Sequence, residues 1–177
     1  MTGQQLIISG IGGQGILFIT RLLAETAIAK GFPVLTSETH GMAQRGGIVI
    51  SHLKIGDFSS PLVRPGQADG LLALKPENIG LHRHFLHPRG WIIANALPAA
   101  VAGSANRAAT IDADGMALAM GAPQAVNLIV LGRALAQGDL LFCSSMDVEE
   151  ALREKLTTRP SLLEASLAAL RAGMVLS

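Results

Sequence analysis

GIGGQGILFITRLLAE, residues 10–25, places four glycines within its first six positions and then runs into an apolar stretch. Upstream, QQLIIS (4–9) is an apolar run of strand length. Downstream, Ile16, Ile19, Leu23 and Ala27 recur at helical spacing. The reading is strand, tight loop, then a helix over 16–30, with Gly31 as a left-handed C-cap and Pro33 barring continuation. In that context Gly10, Gly12 and Gly15 fit GxGxxG. One glycine makes the turn, one lets a ligand approach the main chain, and one lets the helix pack on the strand. The unpaired N–H groups at the helix start favour an anion such as a diphosphate. The same pattern also describes a tight turn with no ligand, and Gly13-Gln14 makes this loop barer and more polar than a dinucleotide turn requires.

Outward from this stretch, VLTSE (34–38) reads as a second strand, 39–47 as a loop, and IVISHLKI (48–55) as a third strand rich in β-branched residues. A turn-rich segment (56–70) leads to an apolar strand at 70–74, a helix over 76–86, and short strands at 91–94 and 110–111. Helices are expected at 112–120, 124–137, 147–156 and from 160 onward. Strands alternating with helices predict an α/β fold, Rossmann-like, with a mostly parallel sheet, helices on both faces and a helical C-terminal third. A chain of 177 residues suits one domain.

Composition narrows the function classes. The chain is 49% hydrophobic and 15% charged, with mean hydropathy +0.41, more apolar than a lone monomer requires. A protein partner is therefore expected, or a homodimer when the chain is isolated. Neither of the longest uncharged runs, 90–106 and 115–132, both bounded by charges and both containing Pro and Asn, is apolar enough to span a bilayer, and MTGQQLII carries no basic signal segment. A cytoplasmic location without a membrane is the expectation. Net charge +1, no Tyr and a single Trp argue against nucleic acid. One cysteine, Cys143, cannot hold an iron–sulfur cluster.

The second informative stretch is Ser37-Glu38-Thr39-His40-Gly41-Met42-Ala43-Gln44-Arg45-Gly46-Gly47. Loops leaving strand C-termini form the ligand crevice of such sheets. If strand 34–38 lies beside strand 4–9, this loop faces the glycine loop. His40 then supplies a group titrating near neutrality, Arg45 a bidentate donor to phosphate or carboxylate, and Gly46-Gly47 the freedom to turn back. Read as a dinucleotide site, the same chain offers Glu38 to a ribose hydroxyl.

Taken in this order and spacing, GIGGQG and SETHGMAQRGG closely resemble the gamma domain of 2-oxoacid:ferredoxin oxidoreductases, in particular the indolepyruvate branch. SSPLVRPGQAD and VNLIVLGRALAQGDLL, with Asn127 and Leu131-Gly132, agree with that family, so the resemblance spans 1–177 as a single domain of this type. It implies a non-autonomous subunit of an enzyme that oxidatively decarboxylates a 2-oxoacid to an acyl-CoA and passes electrons to ferredoxin. Thiamine diphosphate, Mg and the iron–sulfur clusters then belong to a larger partner subunit, and CoA is shared with this chain. No catalytic or metal-ligating residue is assigned here. The implied ligand-contacting set is Gly10, Gly12, Gly13, Gln14, Gly15, Glu38, His40, Gly41, Met42, Gln44, Arg45, Gly46, Gly47 and Asn127. His40, Met42 and Gln44 favour an arylpyruvate substrate, while Lys75 stands where the family leads one to expect an acid. Two rivals stay open: a stand-alone NAD(P)-binding Rossmann oxidoreductase, which quenching of Trp91 would reveal, and a non-catalytic nucleotide-binding module.

Other residues are set aside. His82, His84 and His87 do not converge on a helix. Cys143 reads as a buried thiol before a helix N-cap, His52 has no serine-elbow partner, and turn chemistry accounts for Asp69.

Overall fold

The computed structural model describes residues 3–40 and 46–175. One sheet holds six strands: β1 (Gln4–Ile11), β2 (Val34–His40), β3 (Ile48–Ile55), β4 (Ala68–Ala73), β5 (Leu86–Asn95) and β6 (Arg107–Ile111), in the spatial order β2-β3-β1-β4-β5-β6. β3 is antiparallel to both its neighbours, whereas β1, β4, β5 and β6 are mutually parallel. Only β3 therefore runs against the rest, so the expected mostly parallel sheet is observed, with one antiparallel strand set inside it. The helices are α1 (Ile16–Ala29), α2 (Glu77–His82), α3 (Ala113–Ala119), α4 (Val126–Leu135), α5 (Ser145–Lys155) and α6 (Pro160–Met174).

Central strands of such sheets are buried on both sides, so they read as continuous apolar runs rather than alternating ones. Leu6, Ile8 and Leu72 join one core with residues of α1, α3, α4, α5 and α6. Ile7, Leu71 and Ala73 join the other, closed by α2, Phe85 and Val63. The two faces are thus covered unequally.

Local signals set the helix ends. Gly31 has φ 80°, and the N–H groups of Gly31 and Phe32 return to Ile28 O (2.8 Å) and Ala27 O (3.0 Å), closing α1 in a Schellman motif. Ser144 and Asp147 form a reciprocal capping box at the start of α5. The helix expected over 76–86 stops at His82, and a 3₁₀ turn at Arg83–Phe85 leads straight into β5, which begins five residues earlier than its apolar core suggested. A 3₁₀ turn at Pro123–Ala125 likewise delays α4 to Val126.

α4 and α6 cross at Gly132 and Gly173. A Cβ at Gly132 would strike Leu170 O, and one at Gly173 would strike Ile129 O. The backbones touch there. Among the described residues no helix is long and apolar enough to cross a membrane.

Candidate functional site

The connection β1–α1–β2 leaves across one face of the sheet toward one edge, while β4–α2–β5 leaves across the other face toward the opposite edge. Crevices open at the carboxyl ends of strands where direction reverses in this way, here between β1 and β4. The glycine loop sits at that end. Gln14 folds back beneath it: its Oε1 accepts from Ile11 N–H at 2.9 Å and its Nε2 donates to Leu74 O at 3.2 Å. Asn95 Nδ2 donates to the same carbonyl at 3.2 Å, and Asn95 Oδ1 accepts from Ala113 N–H at 2.9 Å, at the start of α3. Gln14 is thus a strut of the loop.

The glycines divide by task. A Cβ at Gly10 would lie 2.6 Å from Gln14 Oε1 and 3.0 Å from Ile16 Cδ1, so this residue is bare to let α1 pack on β1. Gly15 adopts φ 73° ahead of α1, and Asn127 Nδ2 donates to its carbonyl at 3.2 Å, while Asn127 Oδ1 takes the Leu128 N–H at 2.7 Å. Asn127 thereby ties the start of α4 to the start of α1. Gly13 has φ 95° and open space where a side chain would be; at Gly12 the nearest atoms to an added Cβ are Gly46 N at 3.7 Å and Gly47 O at 3.8 Å. Among the described residues the bare surface is therefore Gly12-Gly13, next to the first N–H groups of α1, which have no intrahelical acceptor.

β2 points the same way as β1, so the loop after it emerges at the same end. Gly12 N–H donates to Gly47 O at 2.9 Å, joining the two loops directly. They meet without their strands being neighbours, since β3 lies between β1 and β2. That inserted strand corrects the expected adjacency. Gly46 takes φ 74° as the chain turns into β3. The side chain of His40, and Gly41, Met42, Gln44 and Arg45, lie outside the described residues. Glu38 pairs with Ser51, level with Ile8 and two strands from β1, roughly 10 Å at ordinary strand spacing. A dinucleotide site needs its ribose-binding acid on the strand beside the glycine loop, which this order denies. Trp91, proposed as a nicotinamide reporter, pairs with Gly70 and through it with Leu6, far from the loop, and is 5% exposed.

Two grooves open from the bare glycines. One, about 450 Å³, runs over Gly12, Gly13 and the first turn of α1 to Val49. The other, about 260 Å³, passes between Phe18, Asn127 and Leu162. Both include Gly13, Gly15 and Phe18, and no Lys or Arg lines either among the described residues. Such a surface suits a ligand or peptide recognised by main-chain N–H groups at one end and apolar contact along the rest.

Residues set aside earlier acquire partners. Asp69 does more than end a turn: it accepts from Gln5 N–H at 2.7 Å and faces His87 Nε2 at 3.3 Å. Lys75 pairs with Asp114 at 3.0 Å. No group of three His, Cys, Asp or Glu that could hold a metal occurs among the described residues. Burial, then the Asp147 charge, pushes the Cys143 thiol up to about 12, leaving it protonated at neutral pH. Iodoacetamide at pH 8 is expected to leave Cys143 unmodified in the folded chain and to label it completely in denaturant; labelling of the folded chain would contradict this burial.

His52 packs edge-on against Phe85, and its Nδ1 accepts from Val63 N–H at 3.2 Å. Burial, with the charges of His82 and Lys54, holds its pKa below the ordinary 6.5. A folded-state pKa below the unfolded one gives stability that is present above pH 6.5 and lost as pH falls through the folded value. Urea midpoints are expected to be level from pH 8 to 7 and to decline below 6.5, with the decline reduced in His52→Gln; equal slopes in both chains would count against this assignment.

Sequence reading missed Asn95, Asn78 and Ser9, all buried. The signal lay in a polar residue closing an apolar strand run, as in LIIS and WIIAN.

A family model described as pyruvate ferredoxin/flavodoxin oxidoreductase matches residues 5–176. The chain is similar to the indolepyruvate oxidoreductase subunit IorB of Archaeoglobus fulgidus, with 33% identity over 188 residues, 95% of this chain and 92% of that one. The keto/oxoacid ferredoxin oxidoreductase gamma subunit from Geobacter sulfurreducens shares the fold, with TM-score 0.75, 24% identity, and coverage of 97% of this chain and 96% of that one. The 2-oxoglutarate:ferredoxin oxidoreductase of Magnetococcus marinus, solved with 2-oxoglutarate, coenzyme A and succinyl-CoA bound, gives TM-score 0.80 at 20% identity. This chain covers 30% of that longer polypeptide, and 98% of this chain is matched.

Proposed function

Since this chain belongs to the pyruvate ferredoxin/flavodoxin oxidoreductase family, we propose that it is the small, non-autonomous subunit of a 2-oxoacid:ferredoxin oxidoreductase acting on an arylpyruvate of the indolepyruvate type. The A. fulgidus relative, matched over 92% of its length, supports the substrate branch and the subunit role. Thiamine diphosphate with Mg, and the iron–sulfur clusters, reside on a larger partner. The buried thiol of Cys143, the one cysteine, is unsuited to cluster ligation, in keeping with that division.

One observation carries the assignment of the site: the Gly12 N–H to Gly47 O bond joins two glycine-rich loops beside the start of α1, and among the described residues nothing covers Gly12 and Gly13. The residues fit an anionic ligand with an apolar arm. CoA is the preferred occupant, its diphosphate at the N–H groups of α1 and its arm along the Phe18 groove, with Arg45 as a phosphate contact. CoA accepts the acyl group; this chain orients it and keeps water from the groove. Bound elsewhere, the loops would serve as a seat for a partner's loop.

The test is co-expression with affinity capture. A larger, cysteine-rich, thiamine-binding polypeptide should accompany the chain, the pair should reduce ferredoxin with indolepyruvate and CoA, and the chain alone should show no turnover. Capture of no such subunit, or turnover with NAD by the isolated chain, would overturn the reading.

A further inference from the structure

On the face of the sheet opposite α1, a closed polar cluster sits directly under the glycine loop. Ser9 is 0% and Asn78 2% exposed. Asn78 Nδ2 donates to Ser9 Oγ at 2.7 Å and reaches Gly10 O at 3.3 Å. Ser9 Oγ lies 3.2 Å from Val49 O and 2.9 Å from His82 Nδ1. β1 and β3 pair through Gly10 and Val49, so the cluster grips both strands where they enter the two loops.

A hydroxyl has one proton to give and two lone pairs to receive with. Ser9 receives from Asn78, and its single proton has two candidate acceptors. A neutral His82 ring permits either arrangement: Nδ1 can accept from Ser9, or Nδ1–H can donate to it while Ser9 donates to Val49 O. The imidazolium permits one alone, because both ring nitrogens then carry protons. The Ser9 proton can then no longer go to Nδ1, which leaves Val49 O as its acceptor.

We propose that Ser9, Asn78 and His82 are positioning residues for the glycine loop, and that protonation of His82 fixes the Ser9 hydroxyl on β3 and so selects one setting of that loop. His84 of the following turn acts on His82, and across on β3 His82 and Lys54 both act on His52. Arg64 of the covering segment acts on Lys54. Burial, then His84, lowers the His82 pKa, opposed by an Asn78 backbone hydrogen bond. The switch consequently operates on the acid side of neutrality. The catalytic consequence rests on the proposed function; the hydrogen-bond relay does not.

Two experiments separate them. In NMR titrations of the full chain, the Gly10, Ile11 and Val49 amides should follow His82 with one midpoint below 6.5, and this coupling should vanish in Ser9→Ala while His82 still titrates. Amides that ignore His82, or that follow it equally in Ser9→Ala, would overturn the proposal. His82→Gln keeps an acceptor but does not titrate, and its flat amide profile carries the test should Ser9→Ala fail to fold. In the assembled complex, acidification should change the KM for CoA by about fivefold, the worth of one net hydrogen bond, with little change in kcat, and His82→Gln should abolish that change. An intact relay with a KM that ignores it would refute CoA binding at the loop and leave the positioning role standing.

Discussion

Gly132→Ala is expected to destabilise the chain by about 3 kcal/mol, at the upper end of the usual range for overpacking. The added methyl falls on Leu170 O, a backbone atom with no rotamer by which to yield, so α4 and α6 must separate along their contact. Separation opens the layer where Ile129 and Leu170 are both fully buried. Gly173→Ala should behave similarly through Ile129 O. Gly80→Ala supplies the contrast: nothing lies within 4 Å of its added Cβ, and in a helix alanine should match or slightly exceed glycine in stability. Urea unfolding of the three variants checks this, and a Gly132→Ala midpoint equal to that of the parent would show that the helices are not in backbone contact.

Gly12→Val is expected to leave the fold intact and lower the activity of the reconstituted complex by about 10–100-fold, the equivalent of roughly 1–3 kcal/mol of steric conflict. Among the described residues a Cβ at Gly12 would meet Gly46 N and Gly47 O at 3.7 and 3.8 Å, which is ordinary contact. Any large loss must then come from whatever docks on the bare surface. A raised KM for CoA with normal capture of the partner identifies the ligand as that occupant; failed capture identifies the partner. Full activity with an unchanged urea midpoint would remove the loop from the function.

The glycine loop was legible because strand, turn and helix signals coincide within a few residues, and Gly31 with Pro33 marked the end of α1 as firmly as Gly15 marked its start. The antiparallel course of β3 was legible too, though less directly. β2 ends at His40 and β3 begins at Ile48, a gap shorter than the dozen residues a parallel crossover requires. What periodicity could not supply was the choice of β3's second neighbour. Its insertion between β1 and β2 depends on which strand edges pair in the folded chain, and this insertion is what removes Glu38 from the position a dinucleotide would need. The individual duties of the glycines were equally hidden. Gly10 and Gly12 look alike in GxGxxG, but Gly10 is bare because of Ile16 and Gln14, whereas at Gly12 the described residues leave room for a Cβ. Asn127 entered through family resemblance, and its task, holding Gly15 in place, emerged with the coordinates.

That tether from Asn127 spans 112 residues of sequence. A polypeptide emerging from the ribosome can assemble all six strands by Ile111, yet the fastening at Gly15 must wait for α4, and α4 in turn leans on α6. Contacts so distant along the chain form late, after the entropy of closing a long loop has been met. The last fastening of the glycine loop is therefore placed near the end of synthesis, after the sheet beneath it can already have formed.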